Sequence, residues 1–520
     1  MNNQGTLLWV DDEIELLHAH ILFLRNKGYV VDTVSNGTDA VEACRKNIYD
    51  LVLLDENMVG MSGLQTLSLL KDTDPNLPVV MVTKSEEEDI MEQAIGSKIA
   101  DYLIKPVNPN QILLTLKKNL HRRHIESSIT TENYRDNFSL LGTQIENADT
   151  WSDWIDVYRQ LTRWELDLHN SAGELAELLD GQKESAKNGF SRFIKKNYIG
   201  WMSEDDNDRP VMNHDIFKKV IFPLLDNGQS VYLIVLDNFR YDQWREISPL
   251  LSDYYIAKEQ LYYSILPTAT HYARNALFSG LPPAQIKKLY PQYWLDEDDD
   301  EGKNLYEEDL IRSLFERYRR TCRFSYNKLN DAGDIERFTQ QLSGLKQNNL
   351  NVAVVNSIDI MSHSRTDSKM MRELVSDESS YRGITRSWFE HSPIFNLFKR
   401  ISQETDCTVL VTTDHGSLQV DRPVKIAADR NTSTNLRYKA GKSLGFNSKD
   451  VFCINNPQQA GLPSQGIATQ YIFATGTDYF VYQNNFNTFA AFYKNSFQHG
   501  GVSMEEMIIP LITLKTKNKI

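Results

Sequence analysis

The sequence predicts an α/β protein: two strand–helix domains joined by a helical bundle. Three observations carry that reading. Apolar runs of strand length alternate with amphipathic helical stretches over residues 1–122 and again over 206–520. Residues 123–205 show helical spacing and no β-rich run. Acidic, hydroxyl and imidazole residues fall where the strand-like runs end, the place where open α/β sheets gather ligand chemistry.

The first domain contains five short apolar runs: TLLWV (6–10), VVDTV (30–34), DLVLLD (50–55), PVVMVT (78–83) and DYLI (101–104). Helical segments separate them, so the strands are joined by crossovers into a parallel sheet of flavodoxin-like type. In 123–205 aromatic and apolar residues recur at helical spacing, as in WSDWIDVYRQLTRWELDLH (151–169), which predicts a small bundle. SEDDNDRP (203–210) reads as a flexible boundary, and WLDEDDDEGKNLYEEDL (294–310) as a solvated acidic loop without chemistry. No internal repeat is visible.

Composition narrows the function. At 520 residues the chain exceeds a single core. Its 41% hydrophobic and 24% charged residues are ordinary for globular proteins. A net charge of −14, with no basic recognition helix, argues against direct DNA binding. Cys44, Cys322, Cys407 and Cys453 are far apart and form no CxxC pair, which fits a reducing compartment. The start, MNNQGTLLWVDDE, lacks the features of a secretory leader, and no apolar run approaches the ~20 residues of a membrane span. The expected location is the cytoplasm.

Asp11 and Asp12 follow the first strand of the N-terminal domain, and Asp55 ends the third. Thr83 ends the fourth, and Lys105 follows the fifth. A parallel sheet turns all of these into one crevice. Clustered carboxylates repel one another and favour a hard divalent cation, Mg²⁺ above all. Asp55 can then accept a phosphoryl group, with Lys105 and the Thr83 hydroxyl stabilising it. Any one of these Asp residues could instead cap a helix; their joint spacing carries the reading.

Residues 1–122 resemble the receiver domain of two-component response regulators, through VDDE (10–13), LLDENMVGMSG (53–63), VT (82–83) and YLIKP (102–106). The resemblance implies that Asp55 is phosphorylated by a histidine kinase. Asp11, Asp12, Asp55 and the Asn57 carbonyl would bind Mg²⁺, and Thr83 and Tyr102 would form the switch pair. Val59 departs from the proline usual in that loop.

A second constellation spans the last 300 positions. Asp237 ends VYLIVLD, Asp359 and His363 follow NVAVVN, and Asp414 and His415 follow CTVLVTT. His499 precedes Gly500 and Gly501. Thr270 sits near the start of a helix-like run after Pro267, where free backbone N–H groups favour an anion. It could serve as a nucleophile or simply as a cap. Asp359 and His363, four apart on a helix, share one face. Mixed imidazole and carboxylate donors suit two Zn²⁺ ions, with Mn²⁺ next.

Residues 206–520 resemble a PglZ domain of the alkaline phosphatase superfamily, through LDNFRYDQW (236–244), LPTATHYARNALFSG (266–280), the Asp359/His363 pair, DHG (414–416) and HGGVSMEEMIIP (499–510). The superfamily pattern implies one Zn²⁺ on Asp359, His363 and His499. It implies the other on Asp237, Thr270, Asp414 and His415, with Thr270 as nucleophile and Arg274 or Asn275 as candidates for phosphate oxygens. Receiver, helical linker (123–205) and PglZ domain in that order resemble the PorX-like response regulators of the type IX secretion system. That resemblance implies control of secretion and gene expression, an extracytoplasmic-function sigma factor as partner, and homodimerisation on phosphorylation. It also implies zinc-dependent phosphodiesterase action on nucleotides or cyclic or linear oligonucleotides. The alternatives are a metal-stabilised scaffold for the sigma factor and a phosphomonoesterase.

Overall fold

The computed structural model describes residues 5–517, apart from 48, 75–76, 84–98, 169–173, 204–207, 297–303, 405–406, 429–431, 465 and 467. The stretch after the fourth strand (84–98), and parts of the 203–210 and 294–310 segments, lie outside the described residues. The chain divides into two compact units, residues 1–136 and 137–520.

In the first unit five parallel strands lie in the order Val30–Val34, Thr6–Val10, Leu51–Asp55, Val79–Thr83, Asp101–Ile104. Successive side chains of a strand point to opposite faces. Leu7, Trp9, Leu51, Leu53, Val80 and Val82 therefore enter one core layer. Leu8, Val10, Val52, Leu54, Val79 and Met81 enter the other. Both faces of the three central strands are covered, so these read as continuous apolar runs, whereas the edge strands Val30–Val34 and Asp101–Ile104 are partly exposed. Helix Gly63–Thr73 begins with a Ser62/Gln65 capping box. Gly63 packs so closely that a Cβ there would lie 2.4 Å from the Asp55 carbonyl oxygen.

Helix Pro109–Asn147 follows the fifth strand. In the second unit, helix Trp151–Asp167 buries Trp154, Ile155, Val157, Tyr158, Leu161 and Trp164. This is the apolar stripe its sequence spacing predicts. It pairs with helix Glu174–Trp201, where the Trp154 ring meets Phe190 edge-on at 5.6 Å. Tyr263 donates its hydroxyl to Trp151 O at 2.9 Å and so ties the bundle to the adjoining sheet.

That sheet has six strands, in the order Tyr255–Tyr263, Ile508–Thr516, Cys407–Thr412, Ser230–Leu236, Leu350–Val355, Phe324–Leu329. Ile508–Thr516 runs antiparallel to both its neighbours. Cys407–Thr412, Ser230–Leu236 and Leu350–Val355 are adjacent and parallel. Their C-terminal ends therefore meet at one edge. No helix among the described residues is long and apolar enough to cross a membrane.

Candidate functional site

The three adjacent strand ends deliver the acidic residues. Asp237 follows Leu236 directly. Asp414 and His415 follow Thr412 by two and three residues. Asp359 lies in the first turn of helix Ser357–Asp367, just beyond Val355. Gly416 lets the loop pack closely against the backbone at Glu505, where a Cβ would collide with the carbonyl oxygen. Thr270 opens helix Thr270–Ser279, which ends on Gly280 in the left-handed conformation, φ 62°. Left-handed backbone carries little strain for glycine, so a helix end is a natural place for it.

Asp237, Asp414 and His415 offer ligand atoms within 4.8 Å of one another. Thr270 Oγ1 lies 3.0 Å from His415 Nε2 and 3.4 Å from Asp237 Oδ1. His415 Nε2 is 3.9 Å from Asp237 Oδ1 and 3.7 Å from Asp414 Oδ2. Burial, then the neighbouring Asp414 carboxylate, pushes Asp237 well above the ordinary carboxylate range. Burial also raises Asp414, against the pull of Arg274.

Asp359, His363 and His499 form a second such group. His363 Nε2 is 3.4 Å and His499 Nε2 4.0 Å from the same oxygen, Asp359 Oδ1. The two groups adjoin, because the His415 and His499 rings stack at 4.3 Å and 15°. Burial, then the nearby His415, drives the His499 imidazole down to about 3. Burial lowers His415 too. Both rings are therefore neutral at ordinary pH.

The donor set fits cations. His415 Nδ1 donates to Gly416 O at 3.2 Å and His499 Nδ1 to Thr268 O at 3.1 Å, since a carbonyl can only accept. Each neutral ring must then turn a lone pair on Nε2 toward its carboxylates, the arrangement found in metal-ligating histidines. Asp414 Oδ2 is buried with no hydrogen-bond partner among the described residues. Lone pairs face lone pairs, which is costly unless a cation lies between them.

In the receiver-like unit Asp11, Asp12 and Asp55 likewise bring carboxylate oxygens within 4.8 Å of one another. Lys105 Nζ reaches Asp11 Oδ2 at 2.8 Å and Asp55 Oδ1 at 3.0 Å. Burial raises the Asp55 carboxyl despite the Lys105 charge. Three carboxylates against one ammonium leave room for a divalent cation. Thr83 is buried at its strand end, whereas Asn57, Val59 and Tyr102 are exposed.

Three residues, Asn238, Thr268 and Glu307, escaped the sequence reading, and two others take different roles from those it gave them. Asn238, at φ 62°, donates its amide to Asp359 Oδ1 at 3.1 Å and to Ser362 Oγ at 3.0 Å, which links the two ligand groups. Thr268 orients His499 through its carbonyl and holds Gly500 N and Gly501 O through its hydroxyl, each at 3.0 Å. Arg274, read as a candidate phosphate contact, is instead buried and paired with Asp237 at 2.7 Å and Glu307 at 2.6 Å. Asn275 is buried too, and accepts from Asn304 Nδ2 at 3.2 Å. The acidic segment 294–310 is not wholly solvated surface, because Glu307 is fully buried and also pairs with Lys328 at 3.1 Å.

Comparison with known proteins identifies three segments. Residues 7–117 match the response regulator receiver domain, and 124–202 match the PorX response regulator linker domain. Residues 216–514 match the BREX system PglZ alkaline phosphatase-like domain. Among curated relatives, the transcriptional regulatory protein ZraR of Klebsiella oxytoca is 37% identical over 141 residues, 27% of this chain and 31% of that protein. AlgB of Pseudomonas putida, an alginate biosynthesis transcriptional regulatory protein, is 33% identical over 128 residues, 25% of this chain and 29% of that one. The chain thus spans less than a third of the length of these relatives. The chemotaxis protein CheY4 of Vibrio cholerae is 26% identical in sequence, with a TM-score of 0.22, over 22% of this chain and 98% of that one. Because the PglZ match alone takes in more than half of the residues, and the receiver and linker precede it in order, the chain belongs to the PglZ alkaline phosphatase-like family as a PorX-like response regulator.

Proposed function

We propose that this protein is a phosphorylation-controlled regulator whose C-terminal domain is a zinc-dependent phosphodiesterase. The observation that carries the reading is the hydroxyl of Thr270, at a helix N-terminus, beside two adjoining groups of carboxylate and imidazole donors. Asp359, His363 and His499 would hold one Zn²⁺, and Asp237, Asp414, His415 and Thr270 the other. When bound, the ions would acidify the Thr270 hydroxyl and neutralise charge on the phosphoryl oxygens. Thr270 Oγ1 attacks phosphorus, the bond to the leaving alcohol breaks, and water then hydrolyses the threonine ester. Arg274 is already committed to Asp237 and Glu307, so the helix N-terminus is left to receive the phosphoryl oxygens.

The substrates proposed are nucleotides and cyclic or linear oligonucleotides. In the receiver, Asp11, Asp12, Asp55 and Asn57 would hold Mg²⁺. A histidine kinase would phosphorylate Asp55, with Thr83, Lys105 and Tyr102 registering the change. Phosphorylation would favour a homodimer by shifting a two-state equilibrium. The proposed role, drawn from the resemblance to PorX-like regulators, is in type IX secretion and gene expression with a sigma factor partner in the cytoplasm; the linker match supports the resemblance itself.

The test is turnover of bis-p-nitrophenyl phosphate by the full chain with added Zn²⁺, alongside metal analysis. The reading requires turnover and about two zinc ions per chain. A folded protein that binds no zinc and leaves the diester intact would refute it.

A further inference from the structure

Arg274 lies one helical turn beyond Thr270 on the same helix. The residue is 3% exposed, and its guanidinium is held through Nη1 and Nε. Nη1 donates to Asp237 Oδ2 at 2.7 Å and to Asn356 Oδ1 at 3.3 Å, and Nε donates to Glu307 Oε1 at 2.6 Å. Glu307 is itself held by the Tyr326 hydroxyl and by Lys328 Nζ at 3.1 Å. A planar guanidinium gripped on both edges cannot swing to follow a substrate.

We propose that Arg274 is a positioning residue for the hydrolytic site: it occupies Oδ2 of Asp237 and thereby turns Oδ1 toward Thr270 and His415. This rests on the hydrolase reading above. A carboxylate free to rotate could offer either oxygen, or chelate with both. With Oδ2 taken, Asp237 presents Oδ1, at 3.4 Å from Thr270 Oγ1 and 3.9 Å from His415 Nε2. The same grip anchors the helix that carries the nucleophile to the end of the Ser230–Leu236 strand. Asp237 and Thr270 are thereby placed by one side chain, and Glu307 clamps it from behind.

Arg274→Lys keeps the charge but loses the fork, and Glu307→Gln keeps the shape but loosens the clamp. Both full-length variants are compared with wild type by thermal melting, by Zn²⁺ titration of metal-free protein, and by kcat and KM for bis-p-nitrophenyl phosphate. Misplacing reacting groups by about 1 Å costs on the order of 100-fold in rate. The expected result for Arg274→Lys is a kcat loss of about that size with KM little changed. One class of zinc sites should weaken while the other keeps its affinity. Glu307→Gln should show the same pattern in smaller measure, and it decides the matter if Arg274→Lys does not fold. Unchanged kcat and zinc affinity with a lower melting temperature would mark a purely structural ion pair and overturn the proposal. A rise in KM with kcat preserved would overturn it as well, in favour of substrate contact. Absence of turnover in wild type would instead refute the hydrolase reading, and the zinc titration alone would then decide the role of Arg274.

Discussion

His415 Nε2 lies 3.0 Å from Thr270 Oγ1, while its Nδ1 donates to the carbonyl of Gly416. The backbone thus fixes the tautomer of the imidazole that faces the hydroxyl. Removing that hydroxyl would take away the proposed nucleophile but only one of the four donors proposed for the cation. Thr270→Ala should lower kcat on bis-p-nitrophenyl phosphate by at least about 1,000-fold, a loss typical of core catalytic groups, and metal analysis should still find zinc. Thr270→Ser, which restores a hydroxyl, should recover most of the rate. Wild-type turnover in the Ala variant would remove Thr270 from the chemistry.

Asn238 offers a way to separate backbone from side chain. Its φ of 62° is left-handed, and its amide holds Asp359 Oδ1 and Ser362 Oγ. Asn238→Gly removes the amide but suits the backbone. Asn238→Ala removes the amide and adds a steric cost of roughly 1–2 kcal/mol. Both should weaken zinc binding at the Asp359 group in titration of the metal-free protein. The Ala variant should melt lower than the Gly variant. Equal melting temperatures would show that the left-handed turn costs alanine nothing.

The legible part of this fold was its skeleton. The three central receiver strands were readable because buried parallel strands are continuous apolar runs, and Asp237, Asp359 and Asp414 stood out because each follows one. The clamps behind them were hidden. Arg274 in HYARNALFSG looks like a helix-surface cation; its partner Glu307 is 33 residues away, inside a run of acidic residues. Local composition marks such a run as solvated, and only tertiary contact shows one member to be buried against Tyr326 and Lys328. Asn238 was hidden for another reason. Its role depends on a backbone angle, and nothing in LDNFR requires that angle.

In the receiver, Lys105 Nζ is shared between Asp11 at 2.8 Å and Asp55 at 3.0 Å. One ammonium cannot balance three carboxylates, so the crevice should take Mg²⁺ and, with it, a phosphoryl mimic. Beryllofluoride with Mg²⁺ should shift wild-type sedimentation toward a dimer. Asp55→Ala should stay where it was, and Asp12→Asn should need more Mg²⁺ for the same shift. A wild-type profile indifferent to the mimic would end the proposed link between phosphorylation and assembly.

The linker bundle meets the PglZ domain through partly buried charge. Glu165, on helix Trp151–Asp167, accepts from Lys183 Nζ at 2.7 Å and from Arg382 Nη1 at 2.5 Å. Arg382 also pairs with Asp242 at 3.2 Å. Asp242 pairs with Arg240, which donates to Ser417 O at 3.2 Å, two residues past His415. Burial raises the Glu165 carboxyl, but Lys183 and Arg382 outweigh it and bring it down to about 2, from an ordinary 4.5. A carboxyl lowered by folding stabilises the native state above its unfolded value and loses that contribution as the folded value is approached. For Glu165 the loss falls between about pH 4.5 and about pH 2. Glu165→Gln should therefore cost about 1–3 kcal/mol at pH 7, because it removes a charged, partly buried acceptor shared by Lys183 and Arg382. That cost should shrink as both proteins are acidified through this window. Thermal melting of the two full-length chains from pH 7 to pH 3 measures the difference directly. A gap in melting temperature that stays constant across that range would mean that the linker's grip on the domain is one of packing rather than of charge.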